Sequence, residues 1–215
     1  MRPTALLLDF NGTLSDDEPI LYGIFAQLFA EHGRPVTQQE YLDQLAGLSD
    51  PEIVGTWLGH DNPVVPQVVE QRIERYRAAV SDGSSITSAV REAVRYAAAR
   101  VPVAIVSGAA RPEIEPVVAA AGLGDVLHTI VPAEDVEHGK PHPAGYLRAL
   151  QLLDGGGPAE DVVAFEDTEA GIASAKAAGL RVLAVRGTLP EHRLAAADEI
   201  VAGIDVAIMR RLLDP

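Results

Sequence analysis

Asp9 ends the apolar run LLLD and is followed at once by Asn11-Gly12-Thr13. The run is too short and too β-suited for a helix, and Asn-Gly is turn chemistry, so Asp9 is placed at the carboxyl end of a buried strand. In open α/β sheets ligands bind at that rim, which makes Asp9 a candidate nucleophile. Taken alone, D-x-N-G reads better as a strand end with a turn. Three further positions carry polar groups of complementary chemistry. Ser107 ends the apolar stretch VPVAIVSG, Lys140 sits in HGKPHP, and VVAF runs into Glu166-Asp167-Thr168. Separately, each has a plain reading: the serine as a helix cap, the lysine as solvated surface, and the acidic pair as a partner of the next helix's dipole. Lys140 gains weight because Lys176 is the only other lysine, and Lys176 lies mid-helix among alanines where a surface role is expected. The histidines show no paired ligand spacing, so none is a metal-ligand candidate. His138 and His142 flank Lys140 and are within reach of the same cleft.

These side chains must be positioned by the elements around them. After the first strand, apolar spacing predicts helices over 20–32, 41–48, 52–58 and 66–80, the third entered through Ser49-Asp50-Pro51. From Ser84 the rhythm changes. Helices over 88–99, 113–121, 143–153, 170–178 and 204–212 alternate with strands over 101–106, 128–131, 162–165, 181–185 and 200–201, with Gly155-Gly156-Gly157 after the third helix. That alternation implies a parallel sheet with right-handed crossovers. The expected class is α/β: a Rossmann-like parallel-sheet core with an inserted all-helical cap. The core takes residues 1–17 and 84–215 and the cap 18–83. Asp16 and Asp17 read as acidic residues at the first cap helix's start.

Strand-end aspartate, strand-end serine, loop lysine and strand-end acidic pair, in that order, resemble the four motifs of the haloacid dehalogenase-like hydrolase superfamily. The segments DFNGTLSDDEP, AGLSDPE, GKPHPAGY and FEDTEAGIASAKAAG fit its phosphatase and β-phosphoglucomutase-like branch with a helical cap. The likeness spans essentially the whole chain, and four ordered matches are far more specific than one. It implies a phosphohydrolase acting on a small phosphorylated metabolite through an aspartyl-phosphate on Asp9. It further implies Mg²⁺ held by Asp9, the Asn11 backbone carbonyl and Asp167, with Glu166 binding the metal directly or supporting a residue that does. Gly12, Thr13, Ser107 and Gly108 would surround the phosphoryl oxygens, and Lys140 would offer its charge to them and to Asp9.

Asn11 departs from the pattern. Phosphatases and mutases of the superfamily usually have aspartate there, as acid to the leaving oxygen and then base to water. An amide exchanges no proton near neutral pH, and general acid-base catalysis is worth ~10²–10⁴ in rate. Open readings are a slow phosphatase, one with an acidic leaving group such as an acyl phosphate, another proton donor in the cap or cleft, or a substitution introduced to trap an intermediate. A phosphate-binding protein without turnover and a β-phosphoglucomutase-like phosphotransferase are the alternatives. A phosphonatase would need a cap lysine, and 18–83 has none. A dehalogenase would not need a metal.

Composition bounds the partners. With 215 residues and 47% hydrophobic content the chain can bury a substantial core. A formal charge of −14 argues against nucleic acid or an anionic membrane as main partner, since both require a basic surface. There is no cysteine, so thiolate metal sites and disulfides are excluded. No apolar run approaches the ~18 residues of a membrane span, and cytoplasmic is the expected location. Substrate selection would lie in the cap, with Ser49, Asp50, Trp57, Arg72 and Tyr76 as candidates that also read as core or surface. Oligomeric state is not legible.

Overall fold

The computed structural model of the chain describes residues 2–153 and 157–214, so Gly155 and Gly156 of the expected glycine turn lie outside the described residues. Among the described residues, six parallel strands form one sheet: β1 (Ala5–Leu8), β2 (Val103–Val106), β3 (Thr129–Val131), β4 (Val162–Glu166), β5 (Arg181–Val185) and β6 (Glu199–Val201). They lie in the order β3-β2-β1-β4-β5-β6. A parallel sheet is covered on both faces, which is why β1 and β2 are unbroken apolar runs and β4 is apolar up to Glu166, all three buried at every position. Alternate side chains serve opposite layers.

Between β1 and β2 the chain runs through α1 (Glu18–Glu31), α2 (Gln38–Gln44), α3 (Asp50–Leu58) and α4 (Val65–Val80), then α5 (Ser88–Ala98). The stretch expected to be all-helical is so. α2 begins earlier than its apolar spacing suggests because Thr37 and Glu40 form a capping box, and Gly47, at φ 88°, stops the chain from continuing as helix. Ser49 and Glu52 start α3 in the same way, with Pro51 in its first turn. Phe25, Phe29, Tyr41 and Trp57 pack the interior of this helical stretch. Trp57 stacks on Phe29 at 6.0 Å and donates its Nε1–H to the Arg34 carbonyl at 2.7 Å. It is core, not cleft wall.

Leu6 and Leu8 point to the layer of α5, α6 (Arg111–Ala120) and α9 (Val206–Leu213), meeting Val94, Ile114 and Met209. Ala5 and Leu7 point to α7 (Ala144–Leu152) and α8 (Glu169–Ala177), meeting Tyr146, Ile172 and Ala175. From β1 the chain moves outward to β2 and β3, then returns across β1 to lay down β4. The order reverses between β1 and β4, and connections leaving their carboxyl ends in opposite directions open a crevice there. Among the described residues, no helix is long and apolar enough to cross a membrane.

Candidate active site

The register of β1 on β4 brings two distant pieces of sequence together. Leu8 pairs with Phe165, and the Asp9 amide donates to the Phe165 carbonyl at 3.0 Å. Asp9 and the Glu166-Asp167 pair therefore leave adjacent strands at one level. All three carboxylates are buried, and each offers an oxygen within 4.8 Å of the others. Lys140 arrives from the loop before α7. Its ammonium donates to Asp9 Oδ1 and to the Val106 carbonyl at 3.1 Å, and pairs with Glu166 Oε1 at 2.6 Å.

Three buried carboxylates facing one ammonium leave two negative charges uncompensated in a place where water cannot screen them. The titration shifts express this. Burial raises the Asp167 carboxyl well above its usual range, and neighbouring Asp9, Glu18 and Glu166 raise it further. Burial lifts Glu166 to about 7 against the pull of Lys140, and it lifts Asp9 too. Burial alone would lower Lys140, but Asp9 and Glu166 outweigh it and hold the ammonium charged. Glu166 Oε2 is buried without a hydrogen-bond partner among the described residues, while Oε1 also accepts from Tyr146 Oη at 2.5 Å. An all-oxygen donor set, an unpartnered carboxylate oxygen and a deficit of two charges fit a hard divalent cation.

The remaining candidates divide. Gly12 has φ +72°, and a Cβ there would run into the Asp167 carboxylate and the Thr188 hydroxyl, so only glycine fits this turn. Thr13 Oγ1 donates to Asp167 Oδ1 at 3.1 Å and is spent on orienting that carboxylate. Ser107 is buried at the end of β2, where its Oγ accepts from the Ala109 amide at 3.0 Å. Ser107 and Gly108 line a cleft of about 390 Å³ together with Asp9, Asn11, Lys140 and Asp167. Of the helical candidates, Ser49, Asp50 and Arg72 line it and Tyr76 does not. His138 reaches it, whereas His142 Nδ1 accepts from the Ala144 amide at 3.3 Å. Lys176 pairs with Asp198 at 2.7 Å on the surface.

Asn11 is held fast. Its Nδ2 donates to Asp17 Oδ2 at 3.0 Å and to Tyr76 Oη at 3.1 Å, while Tyr76 donates to the same Asp17 oxygen at 2.5 Å and the Gly12 amide donates to Oδ1 at 3.1 Å. Asp17 is thus a fully buried acceptor rather than a helix-start acid, because its side chain makes no cap bond and is turned toward the β1 loop. Burial raises it to about 6.

Three residues escaped the sequence reading. Thr188, in the loop after β5, donates to Asp167 Oδ2, and Tyr146 braces Glu166. Glu18, the first residue of α1, lines the cleft beside Asp9 and Asn11, its Oε2 buried and, among the described residues, unpartnered. Burial raises Glu18 to about 7, with Asp17 and Asp9 adding to the shift. The only signal in the sequence was its place in the DDEP segment, which also suits an ordinary helix start.

Residues 6–185 match the family described as haloacid dehalogenase-like hydrolase. Protein CbbY of Rhodobacter capsulatus is 30% identical over 195 residues, covering 85% of each chain. Hexitol phosphatase A of Escherichia coli (strain K12) is 29% identical over 206 residues, covering 95% of this chain and 93% of the relative. A crystal structure of a mutant of CbbY from Rhodobacter sphaeroides in complex with xylulose-(1,5)bisphosphate superposes with a TM-score of 0.82 at 26% identity. It covers 94% of this chain and 95% of that one.

Proposed function

The chain belongs to the haloacid dehalogenase-like hydrolases, and on that premise we propose that it is a Mg²⁺-dependent phosphohydrolase of small phosphorylated metabolites, with Asp9 as nucleophile. The observation that carries the reading is the buried convergence of Asp9, Lys140, Glu166 and Asp167 at the β1/β4 switch point. Mg²⁺ held by Asp9, Asp167, Glu166 and the Asn11 carbonyl would supply the positive charge that lets a carboxylate approach a phosphorus bearing negative oxygens.

Lys140 takes Asp9 Oδ1, which leaves Oδ2 for attack. The Asp9 Oδ2–P bond forms as the P–O bond to the leaving group breaks, and the departing oxygen keeps the electron pair and takes up a proton. Water then attacks the same phosphorus, releasing phosphate and restoring the Asp9 carboxylate. Ser107 and Gly108, which line the cleft, frame the phosphoryl oxygens with the Gly12 turn, while Thr13 holds Asp167 beside them. The α1–α4 stretch, residues 18–83, acts as a cap that excludes water and selects the substrate.

The Asn11 amide carries no exchangeable proton of the right strength, so another group must serve the leaving oxygen. Glu18 is the carboxyl suited to it: it lines the cleft, one of its oxygens has no partner among the described residues, and it is held near 7.

The test is Mg²⁺-dependent phosphate release from a phosphometabolite panel, lost on chelation and in Asp9→Asn. Inertness toward the whole panel with metal binding intact would overturn the reading. A second reading, a phosphate-ligand binding protein without turnover, is favoured by the double tether of Asn11 to Asp17 and Tyr76. Asn11→Asp in the same assay separates the two, since turnover appearing only in the variant supports the second.

A further inference from the structure

The wall of the cleft contributed by the helices between β1 and β2 is acidic, and its cation among the described residues, Arg72, has its charge paired with two carboxylates, although its buried Nε has no hydrogen-bond partner there. Arg72, on α4, is buried at 4% exposure, and its Nη1 is paired with Asp50 at 3.1 Å and with Glu113 of α6. Its guanidinium also lies over the rings of Tyr76, at 5.0 Å, and Phe25, at 5.8 Å. Burial lowers its affinity for the proton, but Asp50 and Glu113 more than restore it, so the cation is permanent and locked between two carboxylates. Glu18 adds a third carboxyl to this wall. Across the cleft, Lys140 is committed to Asp9 and Glu166. His138, the remaining basic side chain of the described lining, is exposed and lies two residues before Lys140 on that same side. A ligand's second anionic group would therefore face two carboxylates, Asp50 and Glu113, on a single guanidinium, with no unpaired cation among the described residues of that wall to receive it, and like charges brought together at an interface cost several kcal/mol.

We propose that the cleft takes phosphate monoesters whose leaving group carries no second anion: hydroxyl-rich compounds that are uncharged or bear an amine. Asp50 and the Ser49 hydroxyl present oxygens that accept from hydroxyls or an ammonium, and Leu21, Phe25 and Ile53 also line the cleft for carbon skeleton. The inference rests on the phosphohydrolase reading and narrows it. It separates this chain from the relative whose crystal structure holds a bisphosphate.

The experiment compares kcat/KM of the full chain with Mg²⁺ for a hexitol 6-phosphate and a hexosamine 6-phosphate against a hexose 1,6-bisphosphate and phosphoglycolate. The same compounds are ranked by calorimetric affinity on Asp9→Asn protein, which needs no turnover. The first pair is expected to exceed the second by at least ~10-fold in both measurements, a conservative figure beside the cost of like-charge contact. Equal or better values for the bisphosphate or the carboxylate overturn the proposal while leaving the phosphohydrolase reading intact. If nothing is hydrolysed that reading fails, and the affinity ranking still decides this one. Asp50→Asn, which releases part of the Arg72 charge, is expected to narrow the gap several-fold, and a gap left unchanged in a folded variant overturns the proposal.

Discussion

At the scale of single residues, the proton is the question on which rate depends. Asp17 accepts from Asn11, the Gly12 amide and Tyr76 and is spent on holding them in place. Glu18 faces Asp17, Asp9, Tyr41 and Arg72. Burial is the largest influence on it, the two aspartates raise it, and Arg72 and Tyr41 pull it back, leaving it at about 7. As the acid it must be protonated when the leaving oxygen departs, so kcat/KM on an alkyl phosphate falls as pH rises through about 7. Glu18→Gln is expected to lower kcat on alkyl phosphates by ~10²–10⁴ and to erase that limb. An aryl phosphate such as p-nitrophenyl phosphate, whose leaving group needs no proton, should be nearly unaffected. A variant that keeps both the rate and the limb would show that Glu18 is not the acid. This role was not legible in the sequence, because DDEP at a helix start looks the same whether the glutamate is solvated or enclosed. Enclosure is set by residues far away, among them Tyr41 and Arg72.

Secondary structure was the legible part, and the reason is local. Apolar runs of strand length and helical spacings are written in adjacent residues, so the α/β alternation, the helical insertion and the placing of Asp9, Ser107 and Asp167 at strand ends needed no long-range information. Pairings across the chain did. The Arg72–Glu113 bridge, the Tyr76–Asp17 bond and the Thr188–Asp167 bond join residues that no periodicity relates. One such constraint hides in a glycine. Gly171 occupies the first turn of α8, donates its amide to Thr168 Oγ1 at 3.1 Å, and leaves no room for a Cβ against the Glu166 carboxylate. The expected outcome of Gly171→Ala is displacement of Glu166 from Lys140 and Tyr146. Overpacking of this kind typically costs ~1–3 kcal/mol, and disturbing such a supporting contact costs ~10–100-fold in metal affinity. Gly23, inside α1, is the control, because a methyl group there would meet nothing within 4 Å. Gly23→Ala should stabilise by ~0.5–1 kcal/mol through chain entropy. Equal Mg²⁺ affinity in the two variants, read by calorimetry, would show that Glu166 tolerates the shift and has no part in holding the ion.

The whole molecule carries a formal charge of −14, and its cleft concentrates largely buried acidic groups. Asp17 is raised from 3.8 to about 6, Asp50 from 3.8 to about 6, and Glu166 from 4.5 to about 7, in each case first by burial. A carboxyl whose folded-state pKa lies above its unfolded value binds its proton more tightly in the native state. Its contribution is therefore fully present below about pH 4 and is lost as pH rises through 6 to 7. With a chelator present, the melting temperature should fall between pH 5 and pH 8, and self-repulsion from the net charge adds to the fall at low salt. Mg²⁺ acts in the opposite sense. It binds only deprotonated ligands, so its stabilisation grows over the same interval, reaching ~2.7 kcal/mol when the free ion is at a hundred times its dissociation constant. For a chain of this length that is a rise of roughly 5–10 °C at pH 8 and a much smaller one at pH 5. Asp167→Asn removes a buried carboxylate that is also a proposed ligand. It should raise the metal-free melting temperature at pH 8 and abolish the response to Mg²⁺. A metal-free melting temperature that climbs from pH 5 to pH 8, or an Asp167→Asn protein that still responds to the ion, would mean that the buried carboxylates are compensated by something other than a divalent cation.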